Sequence, residues 1–391
     1  MTPDEARDIA RLGGRAATGV AGLVERTHHG ITERVYRSVG VLTGGASAPV
    51  HLTHELVARH TFFWVRRGLG AAAWMAQTIA GRAIPGDRRD DSGLAGLRAQ
   101  LALGIVNGIT GDRLAQDDST LAIAMSLRHD GCDVAPTAEG LGTAYGSGDE
   151  RVVVFVHGLV ETEHAWRFRS RQRWGEPGVS YASRLVADTD WLPLLVRYNT
   201  GAPIGANADA FAALLGEVVR CWPGPLRDVV IVGHSMGGLV ALRAVAHGDP
   251  SWTRTVRSVI TVGSPREGAP LERFAVVAEE VAESSGHGRW FGGLVGMRSD
   301  GIRDLRHPIT HAPLPDWVAE YAVLATLTPD SWHPAVPRVG DGLVPVPADP
   351  SEDTVVVPGL HHLDLLNHPV VYAHLRAWLD RARTASPSTE T

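Results

Sequence analysis

A serine set between glycines at the end of an apolar run is the strongest combination of residue type and spacing in this chain. Val229-Val230-Ile231-Val232 reads as a buried strand, Gly233-His234-Ser235-Met236-Gly237 as a sharp turn, and Gly238-Leu239-Val240-Ala241-Leu242 as the start of a helix. A serine hydroxyl attacks a carbonyl only when it is exposed, near a base, and beside donors for the developing oxyanion. A strand-to-helix turn meets all three conditions, and its crowding demands glycine two positions to either side. With 44 Gly in 391 residues the pentapeptide alone is weak, so the flanking strand and helix carry the signal.

Ser235 needs an imidazole to take its proton and a carboxylate to hold that imidazole in one tautomer. On a scaffold of this kind both follow the serine in the chain, each on a loop after a strand. Asp341, in Val339-Gly340-Asp341-Gly342-Leu343-Val344-Pro345, is the favoured acid, with Asp330, Asp349 and Asp364 as weaker alternatives. For the base, His361, His362 and His368 compete beyond the last strand, and spacing does not separate the adjacent pair. One oxyanion donor is expected from the N–H of Met236. The second is expected from Leu159, in Phe155-Val156-His157-Gly158-Leu159, where Gly158 permits close backbone approach. His157, Gly158 and Trp166 are expected on the substrate side. Trp166 has two readings, a wall of the acyl pocket or a packing residue, and Arg167, Arg169, Arg171 and Arg173 read as a solvated face.

The elements that must position these groups change character along the chain. Residues 1–117 read as a helical extension, with candidate helices at 4–25, 31–42 and 94–109. Phe62, Val65, Leu69, Ala72, Ala76 and Ile79 form one apolar stripe between the second and third. His51, His54 and His60 give only a weak metal-ligand signal. From about Thr120 the period shortens. Asp130-Gly131 signals a hairpin, and strands are predicted at 151–156, 191–198, 229–232, 256–262, 321–328 and 354–357, with helices at 207–220, 238–247 and 370–382. This alternation implies an α/β fold, parallel after an antiparallel start, over residues 118–383. Residues 265–315 read as an insertion with a glycine-rich apolar patch, Trp290–Gly296, and 384–391 as a disordered tail.

The strand-His-Gly-Leu segment, Gly-His-Ser-Met-Gly-Gly, Val-Gly-Ser-Pro-Arg-Glu-Gly (262–268), Gly-Asp-Gly-Leu-Val-Pro and His-Leu-Asp-Leu-Leu occur in one order. Together they resemble the blocks of the lipase and esterase branch of the α/β-hydrolase superfamily, nearest to bacterial serine lipases related to GPI inositol-deacylases. The resemblance covers residues 120 to 383. It implies a mostly parallel sheet with helices on both faces, and an ester hydrolase that works through an acyl-enzyme without metal or cofactor. It also implies that His362 is the base and that residues 265–315 form a lid. The family commonly carries histidine where Arg266 stands, and many of its bacterial members are secreted. An acyltransferase using the same triad and a non-catalytic binding protein on the same fold are the alternatives.

Composition narrows the partners. The net charge of −6 gives no argument for nucleic acid, and all 37 basic residues are arginine, which excludes lysine Schiff-base chemistry and a Gly-Lys-Ser phosphate loop. Cys132 and Cys221 lack metal-ligand spacing and read as free thiols. No secretory signal is visible, and the uncharged run from Gly68 to Gly81 is shorter than the roughly 20 residues a membrane span needs. The expectation is a soluble cytoplasmic protein acting on a small-molecule or lipid ester, with peripheral membrane contact through the N-terminal helices as a further option.

Overall fold

The computed structural model describes residues 97–146, 151–268, 299–308, 312–331 and 336–385. The chain divides into two compact units, and the larger, residues 95–118, 122–286 and 298–391, carries the sheet. The expected helices at 4–25 and 31–42, the 62–79 stripe, the three N-terminal histidines and the apolar patch at 290–296 lie outside the described residues.

Eight strands form one sheet: β1 (Ser126–His129), β2 (Cys132–Val134), β3 (Arg151–Val156), β4 (Leu192–Arg197), β5 (Asp228–His234), β6 (Val256–Val262), β7 (Ala319–Thr326) and β8 (Thr354–Pro358). Their order is β2-β1-β4-β3-β5-β6-β7-β8. β1 runs antiparallel to β2 and β4, and every other pairing is parallel. The β1–β2 hairpin closes at His129 opposite Cys132, through Asp130 at φ 47° and Gly131 at φ 81°. Two consecutive left-handed residues are what the right-handed strand twist asks of such a turn. β5 is buried along its whole length, and β3 from Val152 onward, so their valine runs need no polar alternation.

The described helices are α1 (Leu97–Gln116), α2 (Ala138–Tyr145), α3 (Ser170–Trp174), α4 (Tyr181–Asp188), α5 (Ile204–Cys221), α6 (Met236–Ala246), α7 (Pro250–Thr253), α8 (Asp300–Asp304), α9 (Val336–Val339) and α10 (Pro369–Ala385). α6 is the central one: Met236 to Leu242 are all buried, as befits a helix that must start beneath a sheet edge and hold a turn rigid. Among the described residues no helix is long and apolar enough to cross a membrane. Cys132 and Cys221 are free.

Two expected boundaries shift. α1, which the sequence places in an N-terminal extension, belongs to the larger unit and runs to Gln116 rather than Ile109. Its glycines allow the helix backbone to lie against two loops of the sheet. Gly108 faces Val160 and Gly111 faces Asn199. At the other end α10 continues to Ala385, so Thr384 and Ala385 are helical. The close of the 265–315 insertion is tied down as well. Ser299 Oγ donates to the Gly108 carbonyl at 2.6 Å, and the Ile204 N–H donates to Asp304 Oδ2 at 2.8 Å.

Candidate active site

Ser235 stands between β5 and α6 with φ 51° and ψ −121°, a conformation that side chains other than glycine rarely adopt. Its N–H donates to the Val262 carbonyl at the end of β6 at 2.8 Å, and its carbonyl accepts from the Gly238 N–H at 3.1 Å. The flanking glycines are sterically required. A Cβ on Gly233 would lie 2.4 Å from the Gly238 Cα, and one on Gly237 would lie 2.3 Å from the Val156 carbonyl oxygen. Strain at one residue therefore persists because its neighbours are packed backbone to backbone.

Asp341 and His362 meet on the loops after β7 and β8. His362 Nδ1 lies 2.7 Å from Asp341 Oδ2, and the His362 N–H donates to the Asp341 carbonyl at 3.0 Å. The other carboxylate oxygen, Oδ1, accepts the N–H groups of Leu343 at 2.9 Å and Val344 at 2.7 Å. Only 2% of Asp341 and 3% of His362 is exposed. Burial pushes the Asp341 carboxyl up, but the His362 imidazole and the two N–H donors outweigh it, and the net direction is down. An acceptor-only carboxylate at Nδ1 fixes the tautomer, leaving Nε2 as the free ring nitrogen.

Packing links this pair to the serine. The His362 ring lies 4.8 Å, centroid to centroid, from the ring of His234, the residue before Ser235. Gly263, directly after the carbonyl that holds the Ser235 N–H, faces the same imidazole: a Cβ there would come within 3.3 Å of His362 Cε1. Among the described residues neither Ser235 Oγ nor the N–H groups of Leu159 and Met236 make a hydrogen bond.

The other candidates are engaged elsewhere. His361 Nε2 lies 3.1 Å from Asp364 Oδ2, and Asp364 also pairs with Arg169 at 3.4 Å and with Arg173. Two of the arginines read as a solvated face thus converge on a buried carboxylate. His368 Nδ1 accepts the Val370 N–H at 3.3 Å, while Asp330 and Asp349 are exposed. Trp166 is 1% exposed and packs edge-on against Phe155 at 5.1 Å, the packing reading of the two. His157 is wholly buried, stacked on Tyr198 at 4.5 Å, and its carbonyl accepts the Tyr198 hydroxyl at 2.7 Å. Both side chains are buried, whereas Gly158 lies directly beside Ser235, a Cβ on it falling 3.0 Å from Ser235 Cβ.

Sequence reasoning missed Glu161 and His234. Glu161 is 4% exposed; its Oε2 accepts the Gly158 N–H at 2.6 Å, and its Oε1 lies 3.1 Å from His234 Nδ1. His234 Nε2 lies 3.3 Å from the His362 carbonyl oxygen. Burial opposes charge on both groups. Their mutual attraction and hydrogen bond nevertheless leave Glu161 lowered and His234 raised. A glutamate three residues after Gly158, and a histidine inside the serine turn, were the only signals available.

Residues 219–283 match the model of the PGAP1-like alpha/beta domain. The stretch includes the end of α5, β5, the serine turn and β6. No curated protein sequence matches the chain. Among solved structures, the chain is similar to the mature lipase BlEst2 of Bacillus licheniformis: 17% identity, TM-score 0.40, covering 60% of this chain and 92% of that one. The RedJ thioesterase from the prodiginine biosynthetic pathway of Streptomyces coelicolor aligns at 20% identity and TM-score 0.38, over 59% and 91% of the two chains. A lipase-esterase related protein from Clostridium acetobutylicum aligns at 14% identity and TM-score 0.34, over 59% and 95%. The sheet order and the serine turn between β5 and α6 give this chain an α/β-hydrolase fold, and the family match covers the part of it that carries that turn.

Proposed function

We propose that the protein is a serine carboxylic ester hydrolase of the lipase and esterase kind, with Ser235 as nucleophile, His362 as base and Asp341 as the carboxylate that orients it. The observation that carries this reading is the buried 2.7 Å contact between His362 Nδ1 and Asp341 Oδ2, on the imidazole packed against the serine turn. With Nδ1 occupied, His362 Nε2 takes the proton from Ser235 Oγ as the oxygen attacks the ester carbonyl. The N–H groups of Leu159 and Met236 receive the oxyanion. His362 then returns the proton to the departing alkoxide, leaving an acyl-enzyme. Water, deprotonated by the same nitrogen, releases the acid and restores the serine.

In this reading a lipid or small-molecule ester is the substrate class; most of the insertion at 265–315, expected as a lid, lies outside the described residues. Turnover of short p-nitrophenyl esters tests it. Ser235→Ala should lower the rate by at least about 10⁴-fold. Turnover equal to that of the unaltered protein would discard the assignment.

A further inference from the structure

The oxyanion loop is an unusual stretch of chain, and the groups that hold it are not those that react. Val160, next to Leu159, has φ 59°. For a β-branched residue this is a strained conformation, retained only where surroundings over-determine it. Three contacts do so. The Val160 N–H donates to Thr200 Oγ1 at 3.2 Å. Helix α1 lies so close above the loop that a Cβ on Gly108 would sit 2.9 Å from the Val160 Cα, and one on Gly104 would sit 2.9 Å from the Glu161 carbonyl oxygen. From below, the Glu161 carboxylate accepts the Gly158 N–H at 2.6 Å.

The same carboxylate reaches the other half of the site. Glu161 Oε1 is 3.1 Å from His234 Nδ1, and His234 precedes Ser235 without a break. The far nitrogen, Nε2, faces the His362 carbonyl at 3.3 Å, so both ring nitrogens of His234 point at oxygen acceptors. Only an imidazolium donates from both positions, and a buried carboxylate is what keeps an imidazole in that state.

Resting on the ester-hydrolase reading above, we propose that Glu161 is a positioning residue. Its carboxylate ties the Gly158 N–H to the His234 ring, so that the loop presenting the Leu159 N–H and the turn presenting Ser235 hold one fixed separation. Substrate is not touched by Glu161. Its contribution appears when the carbonyl becomes tetrahedral, because only then must the donors meet an oxyanion at a set distance from the serine.

The test compares Glu161→Gln and Glu161→Ala with the unaltered full chain in p-nitrophenyl ester kinetics, with thermal unfolding measured in parallel. Glutamine keeps the shape and an acceptor for Gly158 but removes the charge that holds His234. We expect kcat to fall on the order of 10- to 100-fold in Glu161→Gln, with KM within about threefold, and to fall further in Glu161→Ala. Histidine ring ¹⁵N spectra should show His234 with both nitrogens protonated in the unaltered protein and only one in Glu161→Gln. Should neither variant fold, His234→Asn provides the same kinetic comparison from the other end of the contact. Unchanged kcat in a folded variant, a loss confined to KM, or a neutral His234 in the unaltered protein would overturn the proposal while leaving the hydrolase reading intact. An unaltered protein with no ester turnover would overturn the hydrolase reading and this inference with it.

Discussion

Asp341 grips His362 twice, once through its carboxylate at His362 Nδ1, 2.7 Å away, and once through its own carbonyl, which accepts the His362 N–H at 3.0 Å. The ring and the backbone of the histidine are thus set by one residue. Two N–H donors, from Leu343 and Val344, hold the carboxylate in turn. Asp341→Asn preserves the shape of this arrangement but offers an amide where a carboxylate stood, permitting the wrong tautomer at His362. The expected outcome is a fall in kcat of about 10³- to 10⁴-fold, as steady-state kinetics would register.

The adjacent histidines should separate cleanly. His361 is bound to Asp364 beside Arg169 and Arg173, whereas His362 is packed against the ring of His234. His361→Ala should keep kcat within about threefold, while His362→Ala should lose at least about 10³-fold. Equal losses in the two variants would point to His361 as a partner in the chemistry.

Much of this was legible in the chain. The Asp130-Gly131 turn announced the hairpin because left-handed backbone at two consecutive positions restricts residue choice. The valine-rich runs announced the central strands because a strand buried on both faces has no polar alternation. Ser235 and Asp341 were singled out for a related reason, since each sits in a glycine-bearing turn after a strand, whereas the choice of His362 over His361 came only from the family resemblance. Glu161 was not readable. A single glutamate in a loop has no period, and its significance lies in a contact 73 residues away in sequence, with His234. The helix at 94–109 was readable from its pattern, but that Gly104 and Gly108 let it lie against Val160 and Glu161 was not, since nothing local in the chain announces so distant a contact.

Titration should show which buried charges hold the fold. Asp341 and Glu161 are lowered in the folded chain from ordinary values of 3.8 and 4.5. Stability from them is present above those values and is lost as pH falls through the depressed folded ones. His234 is raised above its ordinary 6.5, so its contribution is complete below that value and is lost as pH rises through the folded one. The Glu161–His234 pair is thus fully effective between 4.5 and 6.5. Urea midpoints measured across pH should decline on both sides of that window, and Glu161→Gln should flatten the alkaline decline.

The serine turn should tolerate no added methyl group. A Cβ on Gly237 would meet the carbonyl oxygens of Val156 at 2.3 Å and His157 at 2.4 Å, both backbone atoms that cannot swing aside. Gly237→Ala should destabilise by about 1–3 kcal/mol, a fall of several degrees in melting temperature, and should displace the oxyanion loop along with β3. Calorimetry paired with ester kinetics would detect both effects.

The most direct measurement is covalent. A fluorophosphonate probe reacts with a serine only where a base and oxyanion donors are already assembled around it. Intact-mass and peptide mapping of the labelled full chain should find one adduct, on the peptide containing Ser235, absent from a folded Ser235→Ala variant and strongly reduced in His362→Ala. A folded, unaltered chain that takes up no probe, or takes it up at another residue while Ser235 remains unmodified, would contradict the account.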